Sequence, residues 1–193
     1  MITSEKQWHP VHSCNDGIFN SASGEQVSIL HPAAATIKLR DIASGLAKTC
    51  RFGGQTTHFY SVAQHSVLVA HLAPPYLRAH ALLHDASEAY LGDVIKPLKV
   101  ILGRAYSELE ETFMCVIRTK YALLRNEMEQ LKPFDKLACQ LEHEAFQKGD
   151  IMGWGEFWKK NELGDVNVWS PDYGYKAYME ALGEVFSEED CNE

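Results

Sequence analysis

Apolar positions along the chain recur mostly at helical spacing. Asp41 is placed to cap a helix, and Ile42, Leu46 and Cys50 follow it at intervals of four. Gly53-Gly54 interrupts this pattern. Thr56 or Thr57 then caps a second helix that runs to about Leu72, where Pro74-Pro75 ends it. A third helix is predicted from about Tyr76 to Leu91, with Gly92 as its stop, and Pro97 marks a turn. A long amphipathic helix follows, with Leu109, Phe113, Val116 and Ile117 inward and Glu108, Glu110 and Glu111 outward. Pro133 opens another helix through about Lys148. A last helix covers about Tyr173 to Phe186, with Tyr175, Tyr178, Met179, Leu182 and Val185 on one side.

The remaining stretches have no helical period. Residues 1–34 hold Asn15, Asp16, Gly17, Gly24 and Pro32, with short alternating pieces such as Gln26-Val27-Ser28-Ile29-Leu30, the pattern of loops with a short hairpin. Residues 149–172 are rich in Gly and Trp and read as an ordered loop whose aromatics pack on the bundle or close over a base. Ser187 to Glu193 reads as a frayed acidic tail. No internal repeat is present. The predicted fold class is all-α, a helical bundle with a small N-terminal β-hairpin, in one domain over residues 1–193.

Composition narrows the function classes. The chain has 193 residues, 46% apolar and 23% charged, with a formal net charge of −8. An acidic balance disfavours sequence-independent capture of a nucleic-acid polymer, which needs basic surface to displace counterions. It leaves room for a small anionic substrate held by a few local cations. No segment has the roughly 20 apolar residues of a membrane span, and Met1 to Pro10 has no signal-peptide core, so a cytoplasmic protein is expected. The five cysteines are scattered, with no Cys-x-x-Cys pair, so a cysteine-built zinc site is not expected.

The chemistry concentrates in the centre of the chain. Val62, His65, Val69 and Leu72 share one helix face, so His65 points toward the core. A histidine on an apolar face is most often just a satisfied core residue. The next predicted helix changes the weighing. In Ala81-Leu82-Leu83-His84-Asp85-Ala86-Ser87-Glu88, His84 and Glu88 are i, i+4 and Asp85 and Glu88 are i, i+3. Burying two carboxylates there is costly without a cation, and imidazole with carboxylate suits a divalent metal. Asp135 opens the later helix; alone it reads as a cap after Pro133, and with the others it completes a two-His, two-carboxylate set. His80 offers an alternative His-x-x-x-His pairing with His84. His143, with Glu142 and Glu144, reads as a solvated face.

The order His65, His84-Asp85, Asp135 resembles the His…His-Asp…Asp pattern of the HD-domain metal-dependent phosphohydrolases. The surrounding strings sharpen the likeness: Asp41-Ile42-Ala43, Cys50-Arg51-Phe52-Gly53-Gly54, Phe59-Tyr60-Ser61-Val62-Ala63-Gln64-His65-Ser66, His84-Asp85-Ala86-Ser87-Glu88, Gly92-Asp93 and Pro97-Leu98-Lys99. They are similar to the bacterial and prophage 5′-deoxynucleotidase-like branch, over about residues 20–185. One departure is Gln64, where many relatives carry Glu before the first metal histidine.

The resemblance implies an HD-type bundle and a divalent ion (Mn²⁺, Co²⁺, Mg²⁺ or Zn²⁺) on His65, His84, Asp85 and Asp135. Glu88 would position or deprotonate the attacking water, and Asp93 would protonate the departing 5′ oxygen. Arg51 would contact the phosphate. Phe52 would lie near the sugar and disfavour a 2′-hydroxyl, or simply pack in the core. Lys96 and Lys99 would reach further phosphates, or be solvated. The implied reaction is hydrolysis of a deoxynucleoside monophosphate by a homo-oligomer. The alternatives are a triphosphohydrolase of the phage dATP-cleaving kind, a non-catalytic nucleotide sensor, and a cyclic-dinucleotide phosphodiesterase, which would need more ligands than are assigned.

Overall fold

The computed structural model describes residues 17–149, 151–160 and 168–192. The loops expected over residues 1–16, with Cys14, and the stretch 161–167 of the expected Gly- and Trp-rich loop, with Gly164, lie outside the described residues. The chain starts with an antiparallel hairpin, β1 (Ile18–Asn20) against β2 (Gln26–Ser28), in which Phe19 faces Val27. The helices that follow among the described residues are α1 (Leu39–Lys48), α2 (Val62–Leu72), α3 (Arg78–Leu83), α4 (Glu88–Leu91), α5 (Lys96–Leu102), α6 (Arg104–Lys120), α7 (Arg125–Glu142), α8 (Ile151–Lys160), α9 (Pro171–Gly183) and α10 (Glu188–Asn192). The fold is all-α with a small hairpin. No helix among the described residues is long and apolar enough to cross a membrane.

α2 is the central rod. Val62 to Ala70 are all buried, so the helix is enclosed on every side, as a mostly apolar helix must be. Ser61 caps it: its hydroxyl accepts from the Gln64 N–H at 3.2 Å. The expected cap at Thr56 or Thr57 is therefore displaced, because residues 49–51 pair with 60–62 across a β-bridge and keep the chain extended up to Ser61. The bonds are Arg51 N–H to Tyr60 O at 2.9 Å and Val62 N–H to Thr49 O at 3.0 Å. α2 packs on α3, α7 and α9, and α1 packs on α9 and α4. Gly45 permits the α1–α4 approach: a Cβ there would lie 2.7 Å from the Ala89 carbonyl oxygen.

Several boundaries differ from the sequence reading. α1 starts at Leu39, and Asp41 sits in its first turn rather than capping it; the carboxylate accepts from the Ser21 and Ser23 hydroxyls and the Ser23 N–H, all at 2.7 Å, which ties the hairpin to α1. The helix expected from Tyr76 to Leu91 is divided. His84 donates its Nδ1–H to the Ala81 carbonyl at 2.7 Å, competing for an acceptor of the regular ladder. The turn then tightens, with Ala86 N–H to Leu83 O and Glu88 N–H to Asp85 O.

Pro97 lies inside the first turn of α5 instead of marking a turn, a position where its missing N–H costs nothing. Pro133 does not open a helix but lies within α7, whose buried Leu131 and Ala138 anchor the rod on both sides of it. α7 runs straight into a π-helical turn, His143–Gln147. Part of the expected Gly/Trp loop is α8, and the expected frayed tail contains α10. Trp154, Trp158 and Trp169 are buried in a ring-to-ring series with Tyr60 and Phe146.

Candidate metal centre

Two helices and one tight turn bring the predicted ligands together. His65 comes from the middle of α2, fully buried; His84 and Asp85 come from the turn between α3 and α4; Asp135 comes from α7. His65 Nε2 lies 3.2 Å from Asp135 Oδ1 and 3.6 Å from Asp85 Oδ2. His84 Nε2 lies 3.2 Å from Asp85 Oδ2 and 3.8 Å from Asp135 Oδ1. The two Nε2 atoms are 3.3 Å apart.

The ring tautomers sharpen this geometry. His84 gives its Nδ1–H to Ala81 O, and His65 gives its Nδ1–H to Glu142 Oε1 at 2.5 Å. Both Nε2 lone pairs therefore face each other and two carboxylates. Two lone pairs cannot bond each other, so the cluster needs either a proton or a cation between them. At His84 burial opposes a charge, but Asp85 and Asp135 outweigh it and hold the imidazole well above its ordinary value. The same pairing holds both carboxyls well below the usual carboxylate range, against burial.

The donor set also fits an ion dimensionally. Donor atoms bound at roughly 2.0–2.2 Å, at angles between right and tetrahedral, stand roughly 2.8–3.6 Å apart. The His65, His84 and Asp85 donor atoms, 3.2–3.6 Å apart, meet this spacing and form one group able to hold an ion, whereas Asp135 Oδ1 lies 3.2 Å from His65 Nε2 but 3.8 Å from His84 Nε2, beyond that span. Two imidazoles and two carboxylates are a borderline donor set that suits first-row divalent ions and leaves positions open for oxygen ligands.

The remaining predicted residues gather at a cavity of about 870 Å³ that opens onto this cluster. Arg51, Phe52, Asp85, Glu88, Asp93, Lys96, Lys99 and Asp135 all line it. Glu88 is nearly buried at 5% side-chain exposure; Lys99 Nζ donates to its Oε1 at 3.3 Å, and Oε2 has no partner among the described residues. Burial, then the charges of Asp85 and Asp93, push its carboxyl up to about 9. Asp93 follows Gly92, whose φ of 79° ends α4; its Oδ2 accepts from the Phe52 N–H at 3.1 Å, and burial raises its carboxyl too. Phe52 itself has φ 55°, left-handed for a residue with a side chain, and its ring lies beside the Arg51 guanidinium.

Arg51 is not a free cation. Its Nη2 donates to Glu142 Oε2 and Cys139 Sγ, each at 3.2 Å, and Nη1 lies 3.6 Å from Asp85. Lys99 is held by Glu110 at 2.7 Å as well as by Glu88. Lys96 and Lys136 line the cavity and have no ion-pair partner among the described residues. His80 turns away from the cluster, accepting from Leu124 N–H at 3.0 Å beside Glu127, so it makes no pair with His84. Gln64, the departure from the resemblance, is buried and accepts from the Trp169 N–H at 3.1 Å, which docks the start of α9 on α2. A smaller cavity of about 350 Å³ between α2, α3 and α9 contains none of the predicted site residues.

Two lining or supporting residues escape the sequence reading. Lys136 lines the cavity from α7, one residue after Asp135. Glu142 is not part of a solvated face: it is fully buried, because α7 turns it the same way as Asp135, seven residues earlier. The i, i+3, i+4, i+7 series Asp135, Ala138, Cys139, Glu142 was the available signal.

The fold and cluster thus define an all-α protein with a candidate metal centre beside a cavity that Asp85 and Asp135 line. No known family model matches the chain. It is 35% identical over 161 residues to the uncharacterised protein YfdR of Escherichia coli K12, covering 80% of this chain and 88% of that one. The chain belongs to the YfdR family. It is also 42% identical over 110 residues to the uncharacterised protein RCAP_rcc00048 of Rhodobacter capsulatus, 52% of this chain and 56% of that one.

Proposed function

We propose that this chain is a divalent-metal-dependent phosphohydrolase of the HD-domain type, cleaving the 5′ phosphate ester of a deoxynucleotide. The observation that carries the reading is the pair of Nε2 atoms 3.3 Å apart, each 3.2 Å from an oxygen of Asp85 or Asp135, the two carboxylates through which the cluster meets a cavity lined by acids and bases. His65, His84, Asp85 and Asp135 would hold the ion. When bound, the ion supplies Lewis-acid polarisation of the phosphoryl group and a positive charge that favours ionised Glu88.

Glu88, enclosed and close to Asp85, would be ionised by a cation bound beside it and would then accept the proton of the attacking water, its burial raising its proton affinity. Asp93 delivers a proton to the departing 5′ oxygen from the opposite side of Gly92. Arg51, fixed by Glu142 and Asp85, presents a guanidinium that offsets phosphate charge without having to be ordered on binding. The Phe52 ring at the cavity wall crowds a 2′-hydroxyl.

Charge favours a monophosphate. Arg51 and Lys99 are already engaged by Glu142, Asp85, Glu88 and Glu110, which leaves Lys96 and Lys136 as the unpaired lining cations. A triphosphate would demand more. Purified protein incubated with dAMP or dATP and Mn²⁺, Co²⁺ or Mg²⁺ decides between them: phosphate release from dAMP is expected. Triphosphate release from dATP would move the assignment to the triphosphohydrolase reading. Nucleotide binding without any product would replace the enzyme reading by the sensor.

A further inference from the structure

We infer that Glu142 is the positioning residue of the metal centre: it fixes the His65 ring and makes it the stronger of the two imidazole donors. This rests on the reading of the cluster as a metal site. Glu142 is fully removed from solvent, yet both carboxylate oxygens are occupied. Oε1 accepts from His65 Nδ1 at 2.5 Å and from the Tyr60 hydroxyl at 3.0 Å, and Oε2 accepts from Arg51 Nη2 at 3.2 Å. A buried carboxylate is costly unless paired, and here every oxygen has a donor, with the Arg51 guanidinium 3.2 Å from Oε2 as its countercharge.

The two candidate ligand histidines differ in the acceptor of their Nδ1–H. His84 gives its Nδ1–H to a neutral carbonyl, whereas His65 gives its own to an anion. A charged acceptor on Nδ1 locks the tautomer more firmly and enriches the opposite nitrogen, which strengthens its bond to a cation.

Glu142 also acts through the helix that carries it. The same face of α7 bears Asp135, whose oxygen lies 3.2 Å from the Nε2 of the ring Glu142 grips from behind. One helix face therefore addresses both sides of His65, and sets how closely α2 and α7 stand at the centre. The π-helical turn begins at the next residue, His143, so the regular register needed to align Asp135 with Glu142 is kept to this point and abandoned after it. Arg51 then joins the cavity wall to the ligand set through one carboxylate.

The test is Mn²⁺ titration by calorimetry of the metal-stripped full chain, with helix content followed by circular dichroism. Glu142→Gln keeps shape and packing but removes the charge. It should weaken Mn²⁺ binding by about ten- to a hundred-fold with the helical signal retained. Glu142→Asp keeps the charge one methylene back and should recover part of that loss while staying weaker than wild type. Wild-type affinity in either folded variant overturns the inference and leaves the metal centre standing. Failure of the wild-type chain to bind Mn²⁺ overturns the metal-centre reading, and this inference with it.

Discussion

Replacing Glu88 by Gln should stabilise the metal-free protein, and by an amount that grows with pH. The side chain is 5% exposed, one oxygen has no partner among the described residues, and the carboxyl is pushed from its ordinary 4.5 up to about 9 by burial and by Asp85 and Asp93. Between those values the native chain holds a proton that the unfolded chain has released. Stability is therefore fully present below pH 4.5 and falls as pH rises toward 9, by at most about 1.4 kcal/mol per pH unit. From pH 5 to pH 8 the ceiling is about 4 kcal/mol, and relaxation of the site around an ionised Glu88 should reduce it to about 2 kcal/mol. Gln has no such proton and no such slope. Urea unfolding in excess chelator at pH 5, 6.5 and 8 reads the difference. The two proteins should nearly coincide at pH 5, and the variant should be the more stable by about 2 kcal/mol at pH 8. A gap that does not change with pH, or a variant less stable at pH 8, would refute the reasoning.

Other expectations follow from the same packing. Gly45→Ala would drive a Cβ to 2.7 Å from the Ala89 carbonyl and push α4 away from α1; a loss of about 2 kcal/mol is expected in denaturant unfolding, with reduced turnover because α4 begins at Glu88. Phe52→Gly relieves a left-handed φ, so stability should hold or rise by up to about 1 kcal/mol, while the ratio of deoxy- to ribonucleotide turnover falls. Arg51→Ala leaves Glu142 buried without its cation and should cost about 3 kcal/mol of stability. Asp85 and Asp135, both held below the usual carboxylate range, contribute stability that is present above about pH 4 and lost as pH falls; metal-free acid unfolding of Asp135→Asn should be correspondingly shallower.

Much of this architecture is legible in the chain because it depends on spacing. The hairpin, the central α2 with His65 inward, and the amphipathic α6 all follow from the period of their apolar residues. What failed depended on competition between local and tertiary bonds. The β-bridge at Cys50 and Ser61 moves the start of α2 past two plausible threonine caps, and nothing local to Thr56 reveals it. The His84 side chain tightens the turn between α3 and α4, although the residues on either side are good helix formers. Pro133 reads as a helix start because proline removes a donor, but core packing of Leu131 and Ala138 carries α7 through it. At the site, the four proposed ligands could be named in advance because their residue types are unusual on apolar faces. Glu142 could not be separated from Glu144 by type, only by register with Asp135. The engagement of Arg51 by Glu142, eighty or more residues away in the chain, had no local signature.

The most direct test of the central claim is a count of metal ions. The full chain is loaded with Mn²⁺, dialysed, and analysed by mass spectrometry for metal per protein, beside His65→Ala, His84→Ala, Asp85→Ala and Asp135→Ala. One retained ion per wild-type chain, lost in each of the four folded variants, is the expected result. A wild-type chain that retains none, or a set of variants that retain it as wild type does, would contradict the account.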